Sequence, residues 1–413
     1  MQKKLITRIK TNFQYQTGLF EIPTVTKKFI WTHFNFFLFT TIPGIFINTF
    51  FFRQDGKIST VSIYNAVVVF GLALTMHISS QISLKKSPAY VLRIGVILFN
   101  FFYIALLLLQ NNAARYILLL GALNAIASGF YWQGYNEMLK YTTSERIFDK
   151  AISLIGTGNS VVNLAVPVVS GVIISNCAGT LGYTIIFGLS FLFSLYTTYL
   201  TTRLSVEKIN ASSNLTGVYR FIFTDKNALM LFIAEAFRGV KSTAYPLFLS
   251  VIFFKLLKNE AILGINTTLC GLVSVLSYII AGRLIRPNNR LKCIFLSTVI
   301  STVLSLPLLF FMNSAILFIL SIVNAIIIAF LDNPTVGIFY NHFDKPARGI
   351  TFSQIMSVRE IFFALGRVAG LIMFINFSAS SVMLAVFALV MNASTIVTWL
   401  LYKFFANKNN ESI

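Results

Sequence analysis

Long apolar stretches constrain this chain more than any other feature of its sequence. A helix crosses the hydrocarbon core of a bilayer with about 20 apolar residues, and such stretches follow one another along most of the 413 residues. Backbone polar groups cannot remain unpaired in lipid, and the Phe-rich run 94–109 lacks the alternating polarity of a membrane β-strand. We therefore predict an all-α integral membrane protein with twelve membrane-spanning helices. These spans, numbered 1 to 12 in chain order, cover residues 29–52, 59–80, 91–110, 115–137, 151–175, 180–202, 228–254, 261–282, 292–312, 314–334, 350–374 and 379–402.

The composition excludes most other classes of protein. Only 11% of the residues are charged and 56% are apolar, whereas about a quarter are charged in a soluble domain. A soluble enzyme, a disordered protein and a nucleic-acid-binding module are therefore excluded. Cys177, Cys270 and Cys293 are too scattered for a disulfide framework or a metal site. The stretch up to Lys28 has no signal-peptide cleavage pattern, and we expect no cofactor and no nucleic-acid partner.

The positive charges predict the orientation of the chain in the membrane. Lys and Arg number 33 against 13 Asp and Glu, which gives a net charge of +20. With both termini cytoplasmic, 23 of the basic residues fall on the cytoplasmic side and five on the other side. Because Lys and Arg accumulate in short cytoplasmic loops, we predict a multi-pass protein of the cytoplasmic membrane with both termini inside.

The second half of the sequence repeats features of the first half about 200 residues later. Residues 124–130 (NAIASGF) correspond to 324–330 (NAIIIAF), and the small-residue stretch 167–171 corresponds to 366–370, where we expect each helix to close on a turn. Repeats that are separated by an even number of helices keep the same orientation in the membrane. We predict a cytoplasmic arm 1–28, a six-helix bundle 29–202, a cytoplasmic loop 203–227, a second bundle 228–402 and a tail 403–413.

Twelve helices in two halves with a basic central loop resemble the major facilitator superfamily of transporters. That family has a glycine-led, Asp- and Arg-rich turn after span 2, with a weaker copy after span 8. Here residues 80–88 (SQISLKKSP) and 282–290 (GRLIRPNNR) match it in part, and both lack the Asp. The resemblance implies a monomer whose gating loops contain Lys85, Lys86, Gly282, Arg283, Arg286 and Arg290. The loop 143–149 (TSERIFD) resembles bacterial members that are often grouped with exporters.

Seven charged residues lie inside the predicted spans away from their ends, all in the second half; Arg93 lies near the start of span 3. If they faced lipid they would together cost on the order of 20 kcal/mol, so they must pair with one another or line water. The resemblance implies that spans 1, 4, 7 and 10 line the transport path and that span 11 flanks it. The residues are Glu235, Arg238 and Lys241 in span 7, Asp332 in span 10, and Arg359, Glu360 and Arg367 in span 11.

Helix geometry predicts how some of these charges pair. Glu235 and Arg238 are three residues apart and lie on one face of a helix. Glu360 and Arg367 are seven apart and point in nearly the same direction, whereas Arg359 points elsewhere. We expect Pro334 to break span 10 just after Asp332. The three acids are candidate proton-coupling groups and the four bases candidate substrate ligands, but the same residues also fit internal salt bridges that hold the second half rigid.

The first half offers polar and aromatic groups in place of buried ion pairs. Asn35 in span 1 and Trp132, Gln133 and Asn136 in span 4 are candidate contacts for a substrate. Hydrogen bonding between helices explains the amides equally well, and both interpretations stay open.

The function most consistent with these features is secondary transport by alternating access. No GxxxxGK[ST] nucleotide loop is present, and no close cluster of catalytic residue types lies within the spans, so we expect no enzyme. We expect proton-coupled export, by antiport, of a small amphiphilic or drug-like compound. Uptake of an organic anion and a non-transporting scaffold or receptor of the same fold are the alternatives.

Overall fold

The computed structural model describes residues 22–143, 145–205, 214–343, 350 and 352–408. This part of the chain is almost entirely helical. Its α-helices are α1 Thr24–Thr41, α2 Phe46–Asp55, α3 Ile58–Lys85, α4 Pro88–Leu109, α5 Ile117–Thr142, α6 Glu145–Ser175, α7 Leu181–Thr202, α8 Leu215–Thr224, α9 Lys226–Leu257, α10 Glu260–Leu284, α11 Arg290–Ser305, α12 Ser314–Phe343, α13 Phe352–Asn376, α14 Ser381–Ala393 and α15 Thr395–Lys408.

These helices form the twelve predicted spans. Ten stretches of the described chain are long and apolar enough to cross a membrane, and one of them, Pro88–Thr142, contains both α4 and α5. The remaining span, span 11, is α13, which contains three charged residues in 25 and is about 37 Å long at 1.5 Å per residue. The chain is a twelve-helix integral membrane protein of two parallel six-helix halves, so α1 starts and α15 ends on one side. We call this the terminal side and the opposite side the far side.

Proline has different effects at different positions in the spans. Span 1 is divided into α1 and α2 at Pro43 and Gly44, where the glycine has a φ of +24°. Pro167, Pro246 and Pro334 instead lie inside continuous helices. The predicted break after Asp332 is therefore wrong. In a packed bundle, neighbouring helices hold a proline-containing helix together despite the missing N–H donor.

Two further expectations differ from the structure. Residues 167–171 and 366–370 are not turns, because they lie within α6 and α13. Their small residues let other helices approach. The predicted loop 203–227 contains the helix α8, whose Val218 and Ile222 are buried. Apolar residues four apart give α8 one buried face, so this connection packs on the bundles.

Within the described residues the two halves meet chiefly where α6 packs on α10 and α3 on α13, with a smaller contact of α2 with α9. Glycine makes the first contact close, since a Cβ on Gly264 would lie 2.5 Å from the carbonyl oxygen of Pro167. A Cβ on Gly171 would lie 2.6 Å from the carbonyl oxygen of Glu260. Only residues without side chains allow backbones to approach so closely.

Candidate substrate pathway

A network of ionic groups lies inside the second half, in the part of the membrane nearer the terminal side. Glu235 on α9 is fully buried. Its Oε2 atom is 2.8 Å from Arg238 Nη2 and 2.6 Å from Arg359 Nη2 of α13. The Tyr402 hydroxyl of α15 donates to Glu235 Oε1 at 3.0 Å. Three helices therefore converge on one carboxylate, whose negative charge is matched by two guanidinium groups.

Arg238 extends this network to α12. Its Nη1 atom donates to Asp332 Oδ1 at 2.8 Å, while its other nitrogens bind Glu235. The members Glu235, Arg238, Arg359 and Asp332 carry two negative and two positive charges. The predicted pairing of Glu235 with Arg238 is confirmed, and Arg359 has the separate partner that its direction on the helix indicated.

A second ion pair lies next to the network on α13. Arg367 Nη1 is 2.7 Å from Glu360 Oε1, as the seven-residue spacing predicted. The Phe363 ring lies 4.0 Å from the Arg367 guanidinium and 4.4 Å from that of Arg238. Because aromatic faces attract cations, this ring links the pair to the network.

Glycine contacts between α9 and α13 bring these charges together. A Cβ on Gly366 would collide with the carbonyl oxygen of Ala236, and one on Gly370 with that of Val240. The stretch 366–370 has the spacing of two glycines that supports close helix packing in membranes. The small residues of the sequence repeat therefore set the distance at which the acids of α9 meet the bases of α13.

Lys241 differs from the other buried bases because it forms no ion pair within 4 Å among the described residues, although the Asp332 carboxylate lines the same cavity and attracts its charge from a greater distance. Its side chain is buried, and its Nζ atom lies 5.2 Å from the centre of the Tyr245 ring. No acceptor among the described residues lies within hydrogen-bonding distance of this ammonium group. Lys241 lines a cavity of about 30 Å³ between α9 and α12, together with Arg238, Ser242, Asn324 and Asp332.

The first half contains a larger cavity of about 260 Å³. Phe36 of α1 and Trp132 of α5 line its aromatic side. Three amides are among the other lining residues: Asn65 Nδ2 donates to Asn48 Oδ1 at 2.8 Å, and Asn124 Nδ2 donates to the Tyr64 hydroxyl at 2.7 Å. Neutral polar groups and aromatic rings therefore surround this space.

The other candidate residues of the first half lie outside this cavity. Asn35 is buried and donates to the carbonyl oxygen of Trp31 one turn earlier in its own helix. Gln133 is buried and donates to Glu137 at 2.6 Å, and Ser83 also donates to this carboxylate. Asn136 is exposed. Of the four candidates in this half, the structure places only Trp132 at the cavity.

An aromatic cluster that includes His33 borders the same region. His33 Nδ1 lies 2.9 Å from the Tyr131 hydroxyl, and the Tyr131 ring stacks on Phe36. On its other side His33 lines an apolar cavity of about 230 Å³ between α1 and α6. Burial of the imidazole among rings explains its position without a ligand.

The predicted gating loops lie at the terminal side. Lys85 and Lys86 are exposed, as is Gly282, and the side chain of Arg283 lies outside the described residues. Arg286 is exposed and starts a short 3₁₀ turn. Arg290 lies half-buried at the start of α11, where its guanidinium packs against Gly337 of the same half. Lys85, Lys86 and Arg286 form no ion pair with the other half in the part of the chain that the structure describes.

An ion pair joins the two halves on the far side. Arg53 Nη1, at the end of α2, is 2.6 Å from Glu260 Oε1, at the start of α10. The Tyr183 hydroxyl of α7 donates to the same Glu260 oxygen at 3.0 Å, and Phe52 packs edge-on against Phe254 nearby. We call Arg53, Glu260 and Tyr183 the far-side latch, because they connect the two halves at this end.

A weaker contact joins the halves near the terminal side. His77 Nδ1 of α3 lies 3.4 Å from Ser357 Oγ of α13, and its ring meets Tyr219 of α8 at 5.9 Å. Sequence reasoning missed His77, Glu260, Tyr402 and Asn324 as members of the site. Only the repeat hinted at Asn324, since it aligns with Asn124.

Among the described residues, no three or more His, Cys, Asp or Glu side chains are grouped as metal ligands would be. The three cysteines are half-buried and free.

The fold matches that of known membrane transporters. A bacterial homologue of the human drug peptide transporters PepT1 and PepT2 matches with a TM-score of 0.68 and 9% identity, over 94% of this chain and 98% of that one. The nucleoside transporter NupG matches with a TM-score of 0.70 and 13% identity, over 93% and 99%. A bacterial homologue of the iron transporter ferroportin in an inward-facing state matches with a TM-score of 0.71 and 10% identity, over 92% and 98%. The chain therefore has the fold of the major facilitator superfamily, as its sequence pattern predicted.

Two bacterial proteins are similar in sequence. The uncharacterized protein YqgE of Bacillus subtilis (strain 168) is 27% identical over 336 residues, which is 81% of this chain and 78% of that protein. The uncharacterized protein in the sodM 3'region of Geobacillus stearothermophilus is 30% identical over 147 residues, which is 36% of this chain and 69% of that protein. The chain belongs to the family of this second protein. No family model matches the sequence.

Proposed function

We propose that this chain is a secondary transporter that moves a small solute by alternating access. The buried ionic network beside a cavity between α9 and α12 carries this proposal, because charged groups within membrane spans are costly, therefore rare, and typical of paths for solutes or ions. Two similar halves that meet along a few helix pairs supply the rigid bodies that rock against each other. The far-side latch then holds the conformation that is closed on the far side.

The coupling ion in this proposal is the proton, carried by Asp332 or Glu360. Each of these carboxylates has one arginine partner among the described residues, and their side chains are 31% and 16% exposed. A carboxylate in such a position can be protonated when its arginine moves towards a solute. Glu235 has two guanidinium groups and a phenol around it and is fully buried. We assign it the role of holding α9, α13 and α15 together.

The proposed solute is a small amphiphilic compound, exported in exchange for protons. The aromatic and amide lining of the 260 Å³ cavity suits a molecule with an apolar ring and a few hydrogen-bonding groups. The resemblance of residues 143–149 to exporters supports the direction. The cytoplasmic side would then be the terminal side, in agreement with the distribution of basic residues.

Proteoliposomes that contain the purified chain test this proposal. The vesicles enclose a pH-sensitive dye, and the solutes are 1-naphthoate, 1-naphthamide and 1-naphthylmethylamine, which share one ring system and differ in charge. We expect a pH gradient to drive uptake or release of at least one of them above the protein-free rate. Glu360→Gln should abolish the pH dependence, and Glu360→Asp, which keeps a titratable group, should retain part of it.

Two results would count against the proposal. Flux that responds to pH equally in the wild type and in Glu360→Gln and Asp332→Asn would make these carboxylates structural. No protein-dependent flux of any of the three solutes, with a folded protein in the membrane, would favour the non-transporting scaffold instead.

A further inference from the structure

We infer that Lys241 and Asn324 form a binding site for a small anionic group, namely the carboxylate of an organic solute. The inference rests on the proposed transport function and specifies the chemical class of its solute. It goes beyond the ionic network, whose charges are already balanced.

Lys241 differs from the other ionic groups inside the second half, which form ion pairs with one another. The four members of the network carry two charges of each sign, and Arg367 with Glu360 adds one of each. Lys241 is left as the one buried cation of this group that forms no ion pair among the described residues, since the Asp332 carboxylate that attracts it is bound by Arg238. A buried ammonium group without an ion pair is costly, and a bound anion would offset part of that cost.

The cavity supplies a second unsatisfied group of the right kind. Asn324 lines the same space, and its amide has no hydrogen-bond partner among the described residues. Its counterpart in the repeat, Asn124, bonds both Tyr64 and Ser128. The two halves therefore differ at this position, and an ammonium group next to an amide NH₂ presents donors suited to a carboxylate.

Asp332 lines the cavity as well and would repel an anion if its charge were free. Its Oδ1 atom is bound by Arg238 Nη1 at 2.8 Å, which compensates that charge. An anion that approached Lys241 would also lie close to Arg238, which lines the same cavity. The local balance at the cavity therefore remains positive by one charge.

The size of the cavity limits what can occupy it. A volume of about 30 Å³ holds two or three water-sized groups, since one water needs about 10–15 Å³. This matches the three non-hydrogen atoms of a carboxylate and excludes a whole aromatic solute. The remainder of the solute would then lie outside this cavity.

Binding of matched naphthyl compounds to the purified full-length protein tests the site. The carboxylate of 1-naphthoate and the amide of 1-naphthamide have nearly the same shape and differ in charge. Their dissociation constants are measured at constant pH and ionic strength from the fluorescence anisotropy of the naphthyl group. We expect the wild type to bind 1-naphthoate at least about tenfold more tightly, as a charge-assisted hydrogen bond provides.

Three variants show whether Lys241 causes this preference. Lys241→Gln should bind both compounds equally, and Lys241→Arg, which keeps the charge, should retain the preference for 1-naphthoate. Lys255→Gln removes an exposed lysine at the far end of the same helix and should behave as the wild type. If Lys241→Gln does not fold, the comparison of Lys241→Arg with Asn324→Leu gives the answer. Loss of the Asn324 donor should weaken 1-naphthoate more than 1-naphthamide, because a carboxylate is the stronger acceptor, whereas Lys241→Arg should retain the preference.

Equal binding of the two compounds to the wild type, or a preference that persists in Lys241→Gln, would overturn the inference. A melting temperature that rises with chloride in the wild type, but with no preference for 1-naphthoate, would identify a halide site and overturn the assignment of the solute. These results are independent of transport. Binding of 1-naphthoate through Lys241 without any flux would contradict the proposed function but not this inference. Flux whose charge selectivity is unchanged in Lys241→Gln would contradict this inference but not the proposed function.

Discussion

Removing the cation of the far-side latch should shift the protein towards the conformation that is open on the far side. The Arg53 side chain is 47% exposed and that of Glu260 is 5% exposed, so water screens their direct attraction to at most about 1 kcal/mol. In Arg53→Gln, the Glu260 carboxylate keeps the Tyr183 hydroxyl as its donor within the described residues. A buried and under-satisfied carboxylate adds about 1 kcal/mol more. The closed state should lose about 1–2 kcal/mol, which is a 5- to 30-fold change in the ratio of the two states.

Distance measurements between two spin labels detect this change. The labels are attached to cysteines at Asn112 in the first half and Leu256 in the second, in a chain whose native cysteines have been replaced. Arg53→Gln should enrich the long-distance population, and Lys57→Gln, which removes a neighbouring exposed lysine, should not. The charge-swapped pair Arg53→Glu with Glu260→Arg should restore the short distance. Identical distance distributions in Arg53→Gln and Lys57→Gln would refute the reasoning.

Two further predictions concern the packing of the second half. Glu235→Gln should lower the free energy of unfolding by about 3–5 kcal/mol, because two buried guanidinium groups lose their carboxylate. Adding Arg359→Gln should recover part of this loss, because the ion pair of Arg238 with Asp332 remains, whereas adding Arg238→Gln should recover none of it. Thermal unfolding in detergent compares the two double variants. Equal stability of the two would contradict the network. Gly366→Ala should greatly reduce the yield of monodisperse protein in size-exclusion chromatography, because its methyl group collides with α9. Gly188→Ala, whose methyl group meets no atom within 4 Å, is the control, and equal yields would contradict the close helix contact.

Features that depend on local sequence were predictable. The apolar stretches predicted the spans, because the membrane demands a fixed helix length. The spacings of Glu235 with Arg238 and of Glu360 with Arg367 predicted both pairs, because helix periodicity determines which side chains share a face. The predicted helix break at Pro334 was wrong because it depended on the local sequence alone. A local rule about proline does not include the helices that pack around it.

Contacts between helices were not predictable in the same way. Arg359 and Tyr402 lie 124 and 167 residues from Glu235 in the sequence, and no periodicity links residues across separate helices. The loop motif of the family led us to expect the gating residues in the loops on the terminal side. In the described structure, however, the ion pair between the halves is formed by Arg53 and Glu260 on the far side.

The sequence by itself determined that this chain lies in a membrane, that it crosses twelve times, and that its ionisable groups concentrate in spans 7, 10 and 11. Those properties follow from the free-energy cost of placing polar groups in hydrocarbon, to which each residue contributes separately. Only the tertiary structure decided which charges neutralise each other and that Lys241 is left over. Which charged side chains form ion pairs depends on how closely α9 and α13 approach, and that distance is set by backbone contacts at Gly239, Gly366 and Gly370.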